Sequence, residues 1–534
     1  MLKNISKLIG FKEKILLIVA IFLGSLSEVS IAYSFSLLRN IFSENGNIDS
    51  FELLKIILLI IIALSFAGYN YIYVGLIRED ICAEIRKKTF ENIMCSKSSY
   101  ISEKPKGYFY NEILAKIDMW KFRYLDSCIN IATNVLSLLW VMILISTFDI
   151  KINILILVFI LPLVINNIVF PKKMLKTTLK SMEENTNLLE FMREYIESIL
   201  IIKNNTSYER SMDKVDYVIN RANKASKKDQ FLGNLSAYFA NTGVTISQVS
   251  SIIISFIYYM KGNIDFGIFM TFIQLSVYIQ QPVISIINAF VGISTVKEIN
   301  ENLSKVLELN TDNYNSTMEI IEKIKLKDVN YQYSECERVF KENLNISFES
   351  NKKYLIKGES GSGKSTLIKI LMKYNDNYIG SIKFNNIELK DLEDKDINSQ
   401  IIYVPQNLFI FNQSIRENID PLLEHSDKEI LEAIEKVNLS YILDNEGLDR
   451  VINQDINSIS GGEASRLYMA KVLLSNKKIV IIDEIMSGLD YENSIKVEDE
   501  ILNLEGKMVI HIAHNSNALF ESRYDKKVEL KWRH

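Results

Sequence analysis

Long apolar runs crowd the first three hundred positions of the chain, and shorter alternating runs fill the rest. Six stretches of the first part, at about 14–40, 53–77, 124–147, 151–170, 236–260 and 264–292, reach the roughly 20 residues that an α-helix needs to cross a bilayer. The fourth, INILILVFILPLVINNIVF, is the cleanest. The fifth carries Asn241 and Gln248, costly facing lipid, and is assigned by its place between two stronger signals. Between spans two and three, and between four and five, lie long charged stretches whose apolar residues still recur with helical period, as in LLEFMREYIESILIIK. Both predict helices that continue out of the membrane.

A polar linker, 309–317, follows, and from Glu319 the pattern changes. Short β-type runs (LKDVNYQY, NISF, KYLIKG, SIKF, IIYVP, IVIID, MVIHIA) alternate with helical ones, which predicts an α/β domain with a largely parallel sheet. The expected organisation is a membrane domain at 1–308 and a second domain at 318–534.

Composition agrees with this segregation: 48% hydrophobic and 24% charged residues coexist in 534 positions, with slightly positive mean hydropathy. A net charge of −4 and the lack of any basic run interleaved with aromatics exclude a nucleic-acid binder. Cys82, Cys95, Cys128 and Cys336 lie far apart and read as reduced thiols. Lys3, Lys7 and Lys12 ahead of an apolar stretch imitate a secretion signal, but the stretch is too long and lacks a small-residue cleavage site, so it reads as a retained membrane helix.

Positive charge sets the orientation. The stretch 78–123 holds Arg78, Arg86, Lys87, Lys88, Lys97, Lys104, Lys106, Lys116, Lys121 and Arg123, and 171–235 is similarly loaded, while 41–52 has no Lys or Arg. The N-terminus and both long connections are therefore expected on the cytoplasmic side of the cell membrane, with the second domain.

In the second domain, Gly358-Glu359-Ser360-Gly361-Ser362-Gly363-Lys364-Ser365 fits GxxxxGK[ST], after the strand KYLIKG and before the helix that opens with Thr366. Glycines let backbone N–H groups curl round phosphates, Lys364 reaches the terminal phosphates, and the Ser365 hydroxyl ligates Mg²⁺. Downstream, a fully apolar strand ends in Asp483 and Glu484, placed to hold Mg²⁺ and to polarise an attacking water. ATP and Mg²⁺ are the expected ligands.

These motifs resemble those of the ATP-binding-cassette transporter family, and the resemblance spans essentially the whole chain. Ile459-Ser460-Gly461-Gly462-Glu463 resembles the signature segment, Gln406 the glutamine of the Q-loop, Ser487-Gly488-Leu489-Asp490 the D-loop, His514 the switch histidine, and Tyr333 the aromatic residue that stacks on adenine. The resemblance implies a six-helix exporter-type bundle fused to a P-loop nucleotide-binding domain. It also implies pairing with a second half-transporter, here an identical chain, so that Ser460 to Glu463 of one copy close the phosphate site of the other. Gln406 would also sit beside Mg²⁺, and His514 by the γ-phosphate. Membrane domain first and cassette second, on one chain, implies export. Lys104–Ile113 and Tyr195–Arg210 resemble the two cytoplasmic coupling regions. Two departures stand out: Glu463 where glutamine is commoner, and Asn453-Gln454-Asp455-Ile456 where such exporters carry a GERG-like loop.

The expected function is ATP-hydrolysing export of a peptide, lipid or amphipathic small molecule by alternating access. The competing readings are an ATP-regulated channel or regulator, and import in an exporter fold. The first membrane helix begins by residue 14, so no peptidase domain is expected ahead of it, and the leader of an exported peptide would be removed elsewhere. His511 reads as a core histidine, His425 and His534 as surface and terminal residues, and Pro162 and Pro282 as packing kinks within membrane helices. Glu28, midway along the first span among small and polar residues, reads either as lining the transport path or as hydrogen-bonded to a neighbouring helix.

Overall fold

Apolar residues at helical spacing form the rods of the first unit. The computed structural model describes residues 10–43, 50–146, 171–204, 208–264, 266–307, 319–332, 338–444, 446–452, 459–485, 491–513 and 520–531. In chain order the helices include α1 (Phe11–Ser43), α2 (Ser50–Met94), α3 (Ser98–Ser102), α4 (Asp126–Ser146), α5 (Pro171–Glu197), α6 (Ile199–Asn204), α7 (Tyr208–Met260), α8 (Phe266–Thr295) and α9 (Lys297–Leu307), with the short helices Lys106–Tyr110 and Lys116–Trp120 ahead of α4. Four described stretches are long and apolar enough to cross a membrane: Phe11–Ser34, Ser50–Met94, Lys106–Leu144 and Tyr208–Met260. Tyr278–Ser294 with Ile299–Leu307, bent by 61°, makes a fifth if taken as one span. The expected span at 151–170, with Pro162, lies outside the described residues. Pro282 stands inside α8.

Contact divides the chain into two units, Met1–Ile93 with Lys106–Leu309, and Met94–Pro105 with Asn310–His534. In the first, α1, α4 and α8 pack around Ala32, Val141 and Ile279. A second cluster joins Ile77, Ile81 and Ile85 of α2 to Ile117, Trp120, Leu125 and Leu303. Charges beside it are paired: Arg78 with Asp126 at 2.9 Å, Arg86 with Asp118 at 2.5 Å, Lys121 with Glu79 at 3.0 Å, and Lys116 with the buried Glu112. Two π-helical turns, Asn111–Ala115 and Lys121–Leu125, interrupt the helical stretch ahead of α4.

The second unit is built on a parallel sheet in the order β11-β3-β10-β9-β6: β3 (Lys353–Gly358), β6 (Ile401–Val404), β9 (Ile479–Asp483), β10 (Met508–Ile512) and β11 (Lys526–Leu530). All five residues of β9 are buried. Ile479 and Ile481 enter one core with Ile356, Leu367 and Ile510, while Val480 and Ile482 enter another with Val404, Leu467 and Val509. A strand covered on both faces reads as an unbroken apolar run for this reason. The expectation of a largely parallel sheet holds for these five strands. LKDVNYQY, NISF and SIKF instead join a separate antiparallel sheet, in which β1 (Lys323–Tyr331) pairs with β2 (Leu344–Glu349) and β4 (Tyr378–Phe384). The partly alternating burial of β1 fits a sheet with one wet face.

Helix α3 belongs to this second unit. The Ser98 amide donates to the Asp394 carboxylate at 2.5 Å, and the Ser102 hydroxyl to the Tyr374 carbonyl at 2.5 Å. These bonds lie just ahead of Lys104–Ile113 in the chain. The segment SSYIS has no apolar period to mark it, whereas Pro105 and Gly107 draw the eye to a turn.

Candidate nucleotide site

β3 ends at Gly358, and α10 (Lys364–Leu371) starts at Lys364. The five intervening residues turn sharply, and two glycines fix their path. A Cβ on Gly358 would lie 2.6 Å from the Leu530 carbonyl. Gly363 adopts φ 92°, and a Cβ there would meet Phe340 at 2.7 Å and Val339 at 2.9 Å. Gly363 is the N-cap of α10 and makes no side-chain cap bond. The first N–H groups of a helix lack intrahelical partners and attract anions.

Lys364, 6% exposed, donates to the carbonyls of Gly358 at 2.7 Å and Glu359 at 3.1 Å, and stands 3.7 Å from Glu484. Glu484 follows the last residue of β9 with φ 49°, a left-handed conformation unusual for a residue with a Cβ. Its amide donates to the Ile512 carbonyl at 3.0 Å, and its carboxylate accepts from Gln406 Nε2 at 2.9 Å. A cleft of about 510 Å³ is lined by Ser360, Gly361, Gly363, Lys364, Ser365, Thr366, Gln406 and Glu484, with Val339 as the apolar wall. The sequence-predicted phosphate loop, glutamine and terminal acid therefore converge.

Asp483 is buried, and burial together with the neighbouring Glu484 charge pushes its carboxyl above the usual range. The Tyr403 hydroxyl lies 3.5 Å from Asp483. Its own ionisation is raised by burial and by Asp483. Two adjoining carboxylates, one buried, form a place where a cation relieves the repulsion. Among the described residues no three His, Cys, Asp or Glu side chains gather as a metal cage. A hydroxyl, one carboxylate and phosphate oxygens suit Mg²⁺, which is seldom held by an all-protein cage. The residues present thus fit a magnesium-bound triphosphate.

The signature segment opens α14 (Gly461–Leu474). Ser460 is its N-cap in a reciprocal capping box: the Ser460 hydroxyl accepts from the Glu463 amide at 3.3 Å, and the Glu463 carboxylate accepts from the Ser460 amide at 2.6 Å. Glutamate serves here as glutamine would. Burial opposes the Glu463 charge, but bonds from Ser460 and Tyr441 and the nearby Arg466 outweigh it and hold its carboxyl below the usual range. Ser460, Gly461, Gly462 and Glu463 do not line the cleft of their own chain. Tyr333, Asp490 and His514 lie outside the described residues, as do Asn453–Ile456 and His534.

Sequence reasoning missed three groups. Val339 and Phe340 press on the loop glycine from a region with no motif. Tyr403 reaches Asp483 because β6 pairs with β9, Tyr403 opposite Ile481, a register no local signal carries. Ser465 ties α14 to the acid strand by donating to the Ile485 carbonyl at 3.1 Å. His511 is fully buried, with Nδ1 2.6 Å from the Tyr524 hydroxyl, as expected of a core histidine. His425 is half-buried against Asp420, 3.2 Å away, rather than free on the surface.

Comparison with known proteins agrees with this geometry. The ABC transporter transmembrane region model matches residues 14–283, and the ABC transporter model matches 341–487. The chain is 29% identical over 345 residues to the lactococcin-G-processing and transport ATP-binding protein LagD of Lactococcus lactis subsp. lactis, covering 62% of this chain and 48% of the relative. It is 26% identical over 350 residues to the microcin-J25 export ATP-binding/permease protein McjD of Escherichia coli, covering 64% of this chain and 60% of the relative. It is 24% identical over 483 residues to an ATP-dependent lipid A-core flippase of Syntrophus aciditrophicus, covering 87% and 79%. The chain thus spans about half to three fifths of the first two. A bacterial Atm1-family ABC exporter solved with ATP bound shares the fold, with TM-score 0.83 and 15% identity over 98% of this chain and 94% of that one. A helical membrane region at 14–283 and an α/β cassette carrying the phosphate loop together place this chain in the ABC transporter family, as a multi-pass membrane protein of the exporter fold.

Proposed function

We propose that this chain is one half of an ATP-driven exporter of the cytoplasmic membrane, with its N-terminus and nucleotide-binding domain in the cytoplasm. The observation that carries the reading is the convergence of Lys364, Gln406 and Glu484 on one cleft, on a chain that also carries membrane-spanning helices. Lys364 would hold the terminal phosphates, and Ser365, Gln406 and Asp483 would hold Mg²⁺, which when bound withdraws charge from the phosphate oxygens. Glu484 would take the proton of the attacking water, oriented by the Gln406 amide. Tyr333 would stack on adenine, Ser360 to Ser362 with Thr366 would complete the loop, and His514 and Asp490 would contact the γ-phosphate and the opposing site.

A second copy would supply Ser460 to Glu463 to each cleft. This chain carries both halves of the composite site, so two identical chains suffice. The membrane domain at 1–308 would alternate between inward and outward openings as the cassettes close and part. The relatives' names point to peptides and a lipid, and a peptide, lipid or amphipathic small molecule is the proposed cargo. The test is ATP-dependent accumulation of fluorescent peptides and lipids in inside-out vesicles holding the reconstituted chain. Accumulation that vanishes with E484Q supports export. Hydrolysis without accumulation of any probe, or movement in the opposite direction, rejects it.

A further inference from the structure

Glu28 stands near the middle of the 33-residue α1, Ser137 near the middle of the 21-residue α4, and Tyr278 near the middle of the 30-residue α8. These three helices pack on one another, so three polar residues stand halfway along the same bundle. A carboxylate at bilayer depth is costly and calls for partners. Those on its own helix are spent: Ser25, Ser27, Ser30 and Ser34 each donate to a carbonyl three or four residues back. Among the described residues no Lys, Arg or His forms an ion pair with Glu28.

Ser137 is fully buried, and its hydroxyl closes no hydrogen bond of standard geometry. Tyr278 packs on the same apolar cluster as Val29 and Leu138, the chain neighbours of Glu28 and Ser137. One turn beyond Ser137 the buried Trp140 Nε1 is also unpartnered, and the Trp140 ring meets Phe22 edge-on at 6.3 Å. A carboxylate has about four acceptor positions, and one serine does not fill them. Aromatic faces beside an anion favour a cation, through Coulomb attraction and the ring quadrupole together.

We propose that Glu28, with Ser137 and Tyr278, is an intramembrane binding point for the positive group of an amphipathic cation carried by this protein. The inference rests on the transport reading for its cargo role, though binding itself needs no ATP.

The test uses the full chain in lipid nanodiscs without nucleotide, and two ions of one shape and opposite charge, tetraphenylphosphonium and tetraphenylborate. After binding to empty nanodiscs is subtracted, the phosphonium binds the native chain at least tenfold more tightly than the borate. Glu28→Gln weakens phosphonium binding tenfold or more, Ser137→Ala two- to fivefold, and Glu28→Asp, which keeps the charge, restores it to within threefold. Equal binding of the two ions, or phosphonium affinity within twofold of native in folded E28Q, overturns the proposal. Should E28Q not fold, the ion preference of the native chain and the Glu28→Asp value decide. ATP-driven phosphonium uptake into inside-out vesicles is measured separately. Glu28-dependent binding without pumping keeps the site and rejects export, whereas pumping indifferent to Glu28 keeps export and rejects the site.

Discussion

The Gln406 side-chain amide donates to the Glu484 carboxylate at 2.9 Å, across the cleft in which Lys364 also stands. A glutamine at 484 would keep an oxygen able to accept that bond while losing the negative charge. Glu484→Gln is therefore expected to lower ATP hydrolysis by about 10²–10⁴-fold and leave ATP binding in place. Single-turnover hydrolysis and nucleotide retention measured on the same sample check both halves.

The same variant tests the assembly. Expressed alone with ATP, E484Q should be trapped as a pair of identical chains holding two nucleotides. Native mass spectrometry reads mass and occupancy together. A stable monomer, or one nucleotide per pair, would contradict the composite site.

Lys364 spends its amine on two loop carbonyls and on the approach to Glu484, and its removal empties no apolar core. Lys364→Ala should abolish measurable ATP binding while the purified chain keeps its membrane helices. Equilibrium nucleotide binding alongside circular dichroism separates the two effects. Wild-type affinity in K364A would mean that the loop does not hold phosphate.

Glu463→Ala breaks one half of the capping box on α14. A loss of about 0.5–2 kcal/mol is expected at neutral pH. Because the folded carboxyl titrates below its ordinary range, its stabilisation is present above the unfolded value and fades as pH falls through the folded one. The difference between E463A and the native chain should therefore shrink in acid, which denaturant midpoints at pH 7 and in the acid range would show. Glu463→Gln should remove the pH dependence and keep most of the cap.

Full burial lowers the His511 ring to about 4, and the Tyr524 hydroxyl that meets it also donates to Glu498 at 3.2 Å. Between the ordinary value near 6.5 and about 4, the unfolded chain takes a proton that the folded one refuses, so stability falls as pH falls through that window. The full effect is on the order of 3 kcal/mol. His511→Gln should flatten this part of the pH–stability curve. An unchanged curve would show that His511 does not govern it.

Legibility in the sequence followed contiguity. The phosphate loop and the acid strand are local strings whose chemistry depends on spacing alone, and Gly358 to Thr366 and Asp483–Glu484 fell where those strings placed them. The left-handed Glu484 and the approach of Tyr403 to Asp483 depend on strand register, which no window of residues encodes. LKDVNYQY and NISF are as short and mixed as any edge strand, so no local signal separates the antiparallel sheet from the parallel one. The bonds of Ser98 and Ser102 have no signal in the sequence because backbone amides and small hydroxyls leave no hydrophobic trace.

The two π-helical turns at Asn111–Ala115 and Lys121–Leu125 carry a consequence of another kind. Such a turn holds one residue more than an α-helical turn, and one residue of an α-helix is about 100° of rotation. Ile117 and Trp120, between the turns, and Ser137 and Val141, beyond them, are thus aimed by a count of residues as much as by their identity. Substitution within 111–115 would leave that aim intact, whereas loss of a single residue there would swing everything downstream by about a quarter turn. For this stretch, gap placement is a stricter constraint on relatedness than side-chain similarity: a homologue aligned one position out would present to the bundle a face about a quarter turn away.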